Sequence, residues 1–172
     1  MQMTKQKTNS KLGRTGYSAI LVRYLSVLLT LFGAVFATNG AVADDVVAEE
    51  RDVSGFSGIV LSGSGDLYIT QGDSESLTIT AEPKVLEVLT SEVRGEVLHL
   101  GRKKGSKVRS RQSVRYDITL RDLERLGMSG SGDAFMARVE GDELTINISG
   151  SSDIELGEVL LEELRVTISG SG

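Results

Sequence analysis

The chain has 172 residues, no cysteine, no tryptophan, one proline and 20 glycines, and its 19 basic and 24 acidic residues give a formal charge of −5. Without cysteine, disulfides, thiolate metal sites and anchoring through a lipidated cysteine are excluded. The acidic balance argues against a nucleic-acid binder, whose electrostatic footprint is basic overall.

Residues 1–43 hold five basic residues (Lys5, Lys7, Lys11, Arg14 and Arg23) and no acidic one, then an apolar run from Leu25 to Ala37 and a small-x-small close at Ala41-Val42-Ala43. That order reads as a signal peptide cleaved after Ala43, since the run is shorter than the ~20 apolar residues a spanning helix needs. The expectation is an exported protein with no transmembrane segment after cleavage, placed in the periplasm, at the outer membrane or outside the cell. Losing the leader leaves 14 basic residues against 24 acidic ones, a net charge of about −10, on a single domain of residues 44–172.

Residues 44–52 read as an acidic linker, and the folded domain is expected over 53–172. Phe56 to Leu61 leads into a glycine corner, Ser62-Gly63-Ser64-Gly65-Asp66, and out along Leu67-Tyr68-Ile69. Gln71-Gly72-Asp73 marks a turn, and Leu77-Thr78-Ile79-Thr80-Ala81 alternates as a strand does. Proline suits a first helical turn, so Pro83 predicts a short helix or bent segment near 83–90. Arg94-Gly95-Glu96 turns the chain into Val97 to Leu100. His99 is the only histidine, and its place between Leu98 and Leu100 puts it on the solvent side with no partner for a metal site.

Residues 102–115 then gather Arg102, Lys103, Lys104, Lys107, Arg109, Arg111 and Arg115 with no acidic residue. Two readings fit. The segment docks an anionic surface such as lipopolysaccharide phosphates or an acidic glycan, or it is a solvated hairpin tip whose charges blunt an edge. Tyr116 to Leu120 reads as the next strand.

The last third repeats. Ser129-Gly130-Ser131-Gly132-Asp133, Ser149-Gly150-Ser151-Ser152-Asp153 and Ser169-Gly170-Ser171-Gly172 follow one another at a spacing of 20 residues. A fixed period points to stacked, near-identical units. Residues 144–148 (Leu-Thr-Ile-Asn-Ile) and 164–168 (Leu-Arg-Val-Thr-Ile) alternate, so stacking brings Leu144 to Leu164 and Ile148 to Ile168. The glycines allow sharp corners, and the following Asp66, Asp133 and Asp153 can bond backbone amides of the turn. The expected fold is all-β, a right-handed parallel β-helix (a β-solenoid) with coils of 20 residues.

The combination of Gly55-Phe56 with Ile59, the Ser-Gly-Ser-Gly-Asp phrase at 62–66, Ile69-Thr-Gln-Gly-Asp73, Thr90 to Gly95 before Leu98, and the recurrent Ser-Gly-Ser phrases resembles the bacterial family called putative auto-transporter adhesin, head GIN domain. The resemblance spans nearly all of the chain after the leader. It implies a β-helix, export to the envelope or surface and an adhesion role, and it brings no catalytic residues. The chain stops at Gly172 inside a repeat, which reads either as a truncation or as an open last coil.

The function expected from these features is non-enzymatic contact at the cell envelope, with no cofactor and no metal. Envelope glycans, lipopolysaccharide or another protein surface are the expected partners. The alternative is a polysaccharide lyase or hydrolase, which needs clustered carboxylates. Asp66, Asp133 and Asp153 are its candidates, although a corner aspartate is explained by its turn.

Overall fold

The computed structural model describes residues 46–171, so the expected leader and Gly172 lie outside the described residues. Among the described residues ten strands and one short helix follow in order: β1 (Val47–Arg51), β2 (Gly58–Ser64), β3 (Asp66–Gln71), β4 (Ser76–Ala81), α1 (Pro83–Leu86), β5 (Leu89–Arg94), β6 (Val97–Arg102), β7 (Arg115–Leu120), β8 (Arg125–Ser131), β9 (Ala134–Ser151) and β10 (Ile154–Ile168). Alternation sets the burial. Ile59 and Leu61, Leu67 and Ile69, Leu77 and Ile79, Ile118 and Leu120, and Leu144 and Ile146 all point into one apolar core. Each such side chain, fully buried, contributes about 1.5–3 kcal/mol. Among the described residues this core is one continuous cluster from Phe56 to Ile148, as expected of a domain with its own core.

The pairing corrects the expected fold. The strands form one mixed sheet in the order β1-β4-β7-β3-β9-β8-β2-β6-β5, with β10 added beside β9. β1·β4, β4·β7 and β5·β6 run antiparallel. The sheet curls into a nearly closed barrel with one seam, not a right-handed parallel β-helix. The end strands β1 and β5 border that seam, where Val47, Glu49 and Arg51 face Leu86 and Leu89. Arg51 Nη2 donates to the Leu86 carbonyl at 3.0 Å and ties β1 to α1. The two-residue link Gly95-Glu96 has φ of 55° and 63°, the left-handed pair of a tight hairpin, and this closes β5 antiparallel on β6.

Parallel stacking joins the strands that carry the repeated phrase and extends to β6 beside β2 and β7 beside β3. β2 pairs with β8, β8 with the C-terminal half of β9, and β9 with β10. The register sets Ser62, Gly63 and Ser64 beside Ser129, Gly130 and Ser131, and those beside Ser149, Gly150 and Ser151. Leu144 lies beside Leu164 and Ile148 beside Ile168. The copy at 169–171 joins the stack through Ser169 and Ser171, whose N–H groups donate to the Ile148 and Gly150 carbonyls at 2.8 and 2.9 Å.

This stack explains the glycines. Gly130 has φ of 140°, and a Cβ there would lie 1.9 Å from the Gly63 carbonyl oxygen. At Gly150 the same atom would meet the Gly130 oxygen at 2.2 Å. No side chain fits between the corners. We expect Gly130→Ala to cost about 3 kcal/mol or more in urea unfolding, through overlap added to left-handed strain. Gly55→Ala, at a positive φ with open space around it, should cost only about 1–2 kcal/mol; equal losses at both sites would refute the close-approach account.

Tyr116 is 1% exposed on β7, with its ring beneath Gly65. Burial pushes its hydroxyl from 10.0 up to about 12, against smaller lowering effects of Arg102 and Arg51. Below pH 10 the folded and unfolded chains both keep this proton, so the stability is intact. Between 10 and about 12 the unfolded chain alone releases it, so stability falls as pH rises, by at most about 1.4 kcal/mol per unit. Tyr116→Phe should flatten that part of the pH–stability profile, and an unchanged slope would exclude Tyr116 as its source.

Candidate functional site

The basic segment predicted from the sequence becomes a crossover. β6 lies between β2 and β5, and β7 between β4 and β3, so the two strands it joins are not neighbours and residues 103–114 do not close a hairpin. Both of its ends are fastened. At the β6 end, the Lys103 N–H donates to the Val88 carbonyl at 2.8 Å and Lys103 Nζ to the Glu87 carbonyl at 2.7 Å. Arg102 Nη1 donates to the Val108 carbonyl at 2.5 Å. At the β7 end, Ser113 Oγ donates to Asp66 Oδ2 at 2.6 Å, and the Asp66 N–H donates to the Val114 carbonyl at 2.8 Å.

The middle is fastened by a carboxylate. Glu82, next to α1, is 2% exposed and its Oε1 accepts the Arg111 N–H at 2.7 Å. Lys84 pairs with its other oxygen. The Lys84 hydrogen bond, then the Arg111 N–H, hold the Glu82 carboxyl below the usual carboxylate range, while burial pulls the other way. Sequence reading missed this residue, because a glutamate before a proline looks like ordinary helix-start chemistry.

The loop leans on the first glycine corner and leaves a cleft of about 480 Å³ between them, lined by Ser64, Gly65, Arg102, Arg109, Gln112 and Ser131 among others. The seven basic residues divide by what they touch. Arg102 and Lys103 spend their head groups on backbone carbonyls. Arg115 binds both oxygens of Asp117, with its Nε at 2.8 Å, and lies 3.6 Å above the Tyr68 ring, which stacks on Phe135 at 5.0 Å. Arg111 is held through its backbone. Lys104, Lys107 and Arg109 are exposed and have no carboxylate partner among the described residues.

Two of the three corner aspartates bond backbone amides across the stack. Asp66 Oδ1 accepts the Asp133 N–H at 3.2 Å, and Asp133 Oδ1 accepts the Asp153 N–H at 3.2 Å. The Asp66 and Asp133 carboxylates thus reach the next copy of the phrase rather than their own turn. His99 is half-buried between Leu98 and Leu100, beside Val60 and Glu92 in the sheet. Among the described residues no group of three or more histidines or carboxylates is placed to hold a metal, and no helix is long and apolar enough to cross a membrane.

If Glu82 fixes the loop, Glu82→Ala should speed trypsin cleavage after Lys104, Lys107 and Arg109 at least tenfold while the β-sheet circular dichroism persists. Cleavage at the rate of the unsubstituted chain would show that the strand ends alone hold the loop.

The model of the family putative auto-transporter adhesin, head GIN domain matches residues 55–172. No curated protein matches the chain. Among solved structures, a putative adhesin from Bacteroides fragilis is similar with a TM-score of 0.67 and 22% identity, over 74% of this chain and 60% of that one. A putative adhesin from Parabacteroides distasonis gives 0.65 and 20%, over 73% and 54%. A putative lipid binding protein from the same species gives 0.57 and 17%, over 73% and 62%. These likenesses show a shared fold, and the chain spans a little over half the length of the proteins it matches.

Proposed function

Because the chain belongs to the putative auto-transporter adhesin, head GIN domain family, we propose that it is an exported, non-enzymatic contact module that docks through its basic crossover loop. The site is Lys104, Lys107 and Arg109, together with the cleft beside the first glycine corner. The surface it meets is anionic: lipopolysaccharide phosphates, an acidic glycan or an acidic protein face.

The observation that carries this reading is the fastening of the loop. A solvated charge run needs no anchor, yet Glu82 is buried to hold this one, and burying a carboxylate is costly unless it is bonded. Lys104, Lys107 and Arg109 are thereby presented on an anchored backbone, with no acid among the described residues to neutralise them. A pre-ordered loop loses less entropy on binding. Its local charge opposes that of an otherwise acidic protein, which favours encounter in one orientation. The printed description of one structural neighbour as a lipid-binding protein agrees in kind with an envelope partner. The aspartates that a polysaccharide-cleaving reading requires already accept backbone N–H groups of the next copy, which supports a structural role for Asp66 and Asp133.

The test is binding of residues 44–172 to vesicles carrying lipopolysaccharide, to acidic glycans and to neutral phosphatidylcholine vesicles. Binding to one of the anionic surfaces should weaken with salt, because exposed charges are screened within ~8–10 Å at physiological ionic strength. The triple variant Lys104→Glu/Lys107→Glu/Arg109→Glu should bind at least tenfold more weakly with an unchanged melting temperature. Retained binding in that variant would remove the loop from the function, and glycan product released in the same incubations would replace the contact module with an enzyme.

A further inference from the structure

The cleft beside the first glycine corner differs in chemistry from the charged loop next to it. Its floor is backbone: Gly63 and Gly65 bring no side chain, and a Cβ at Gly65 would lie 2.7 Å from the Tyr116 ring. Four serines and two arginines line its walls, and its apolar lining is Val108 and Val114, with no aromatic residue. Its volume of about 480 Å³ falls within the ~300–1,000 Å³ of small-ligand sites.

Two of the serines are already committed. Ser110 Oγ donates to the Gln112 carbonyl and Ser113 Oγ to Asp66 Oδ2. Ser64 and Ser131 are not. They lie side by side in the register of β2 and β8, and neither hydroxyl has a hydrogen-bond partner among the described residues. Arg102 gives one of its five N–H groups to the Val108 carbonyl, which fixes the guanidinium at the cleft wall with the others unspent among the described residues. Arg109 stands just before the Arg111 N–H that Glu82 holds, on anchored backbone.

A guanidinium only donates hydrogen bonds, whereas a serine hydroxyl both donates and accepts. The two pairs together match a small unit that carries an anion and hydroxyls at once. A lipid would leave its acyl chain without an apolar wall here. An acidic protein face would lack the buried anchor pocket on which such interfaces depend. We propose that the cleft takes one sugar unit bearing a carboxylate or a phosphate, with Arg102 and Arg109 on the anion and Ser64 and Ser131 on the ring hydroxyls. This rests on the contact reading above and narrows it: the surface is a glycan that presents such a unit, and the cleft selects it. Lys104 and Lys107 attract any anion, because a lysine head is a point charge without a fixed hydrogen-bonding plane.

Titration calorimetry with trigalacturonate, glucose 6-phosphate, uncharged maltotriose and triglutamate tests this. One of the two anionic sugars should bind about tenfold or more tightly than both maltotriose and triglutamate, because a site built to hydrogen-bond rejects a ligand that lacks the groups. Which of the two binds identifies the charged group. Ser64→Ala/Ser131→Ala keeps each Cβ and therefore the stack. It should bring the better sugar within about threefold of triglutamate, with the melting temperature unchanged. Triglutamate bound as tightly as either sugar, or selectivity kept in the serine variant, would overturn the proposal and leave the docking reading standing. So would failure of both sugars to bind where lipopolysaccharide vesicles do. Absence of binding to every anion, those vesicles included, would remove both.

Discussion

The constraint on which the structure depends is the distance between successive glycine corners. Corners that stack this closely leave the carbonyl oxygen of one glycine where the Cβ of the next would stand, as between Gly63 and Gly130. The spacing of parallel strands sets how closely these corners approach, so a side chain at Gly130 or Gly150 has nowhere to go. The serine–glycine phrase is therefore less a flexible turn than a rigid contact surface. Asp66 and Asp133 add to it by bonding forward to the next copy's amide. Backbone contacts and these two carboxylates hold the copies in register, and the aliphatic rows behind the corners follow that register.

The same corner serves the candidate site. Gly65 gives space to the Tyr116 ring below, and Asp66 receives both ends of the contact that brings the crossover loop home, Ser113 Oγ to its carboxylate and its own N–H to the Val114 carbonyl. Asp66 therefore bonds in two directions, forward along the stack and sideways to the loop. Glu82 supplies the second anchor from α1 at the seam. A segment with seven basic residues would repel itself into a disordered strand of charge if left alone. Two carboxylates at its base and middle, with Arg102 and Lys103 turned onto carbonyls, offset that tendency and leave a few cations outward.

Much of this was legible in the sequence. The period of 20 residues gave the pairing of β9 with β10, down to Leu144 beside Leu164, because identical units bury their apolar faces only when stacked in register. The alternation of Leu77 to Ala81 and of Tyr116 to Leu120 located β4 and β7. Pro83 located α1, which is one turn long and gives way to β5 at Leu89. The architecture was not legible by the same means. The period covers only the last third, and carrying it back over residues 66–125 made a parallel β-helix of what is a mixed barrel. Alternation tells which face of a strand is buried and is silent on whether its neighbour runs parallel or antiparallel. One signal was present and outweighed: Gly95-Glu96 between two short apolar runs is a two-residue hairpin link, and a hairpin is antiparallel by construction. The site was legible as charge but not as geometry, since nothing local marks Glu82 as the partner of an amide 29 residues later.

The crossover loop lies against the first copy of the phrase, at 62–66, so the proposed contact site is built on the corner from which the parallel stack starts. Three exposed cations supply only a modest, salt-sensitive attraction, since exposed ion pairs contribute about 0–1 kcal/mol each. With so little gained per ion pair, the entropy lost in ordering a free loop would offset most of it. Anchoring the loop beforehand, at Asp66 and at Glu82, removes that cost, and this is why the anchors matter to the site as much as the charges do.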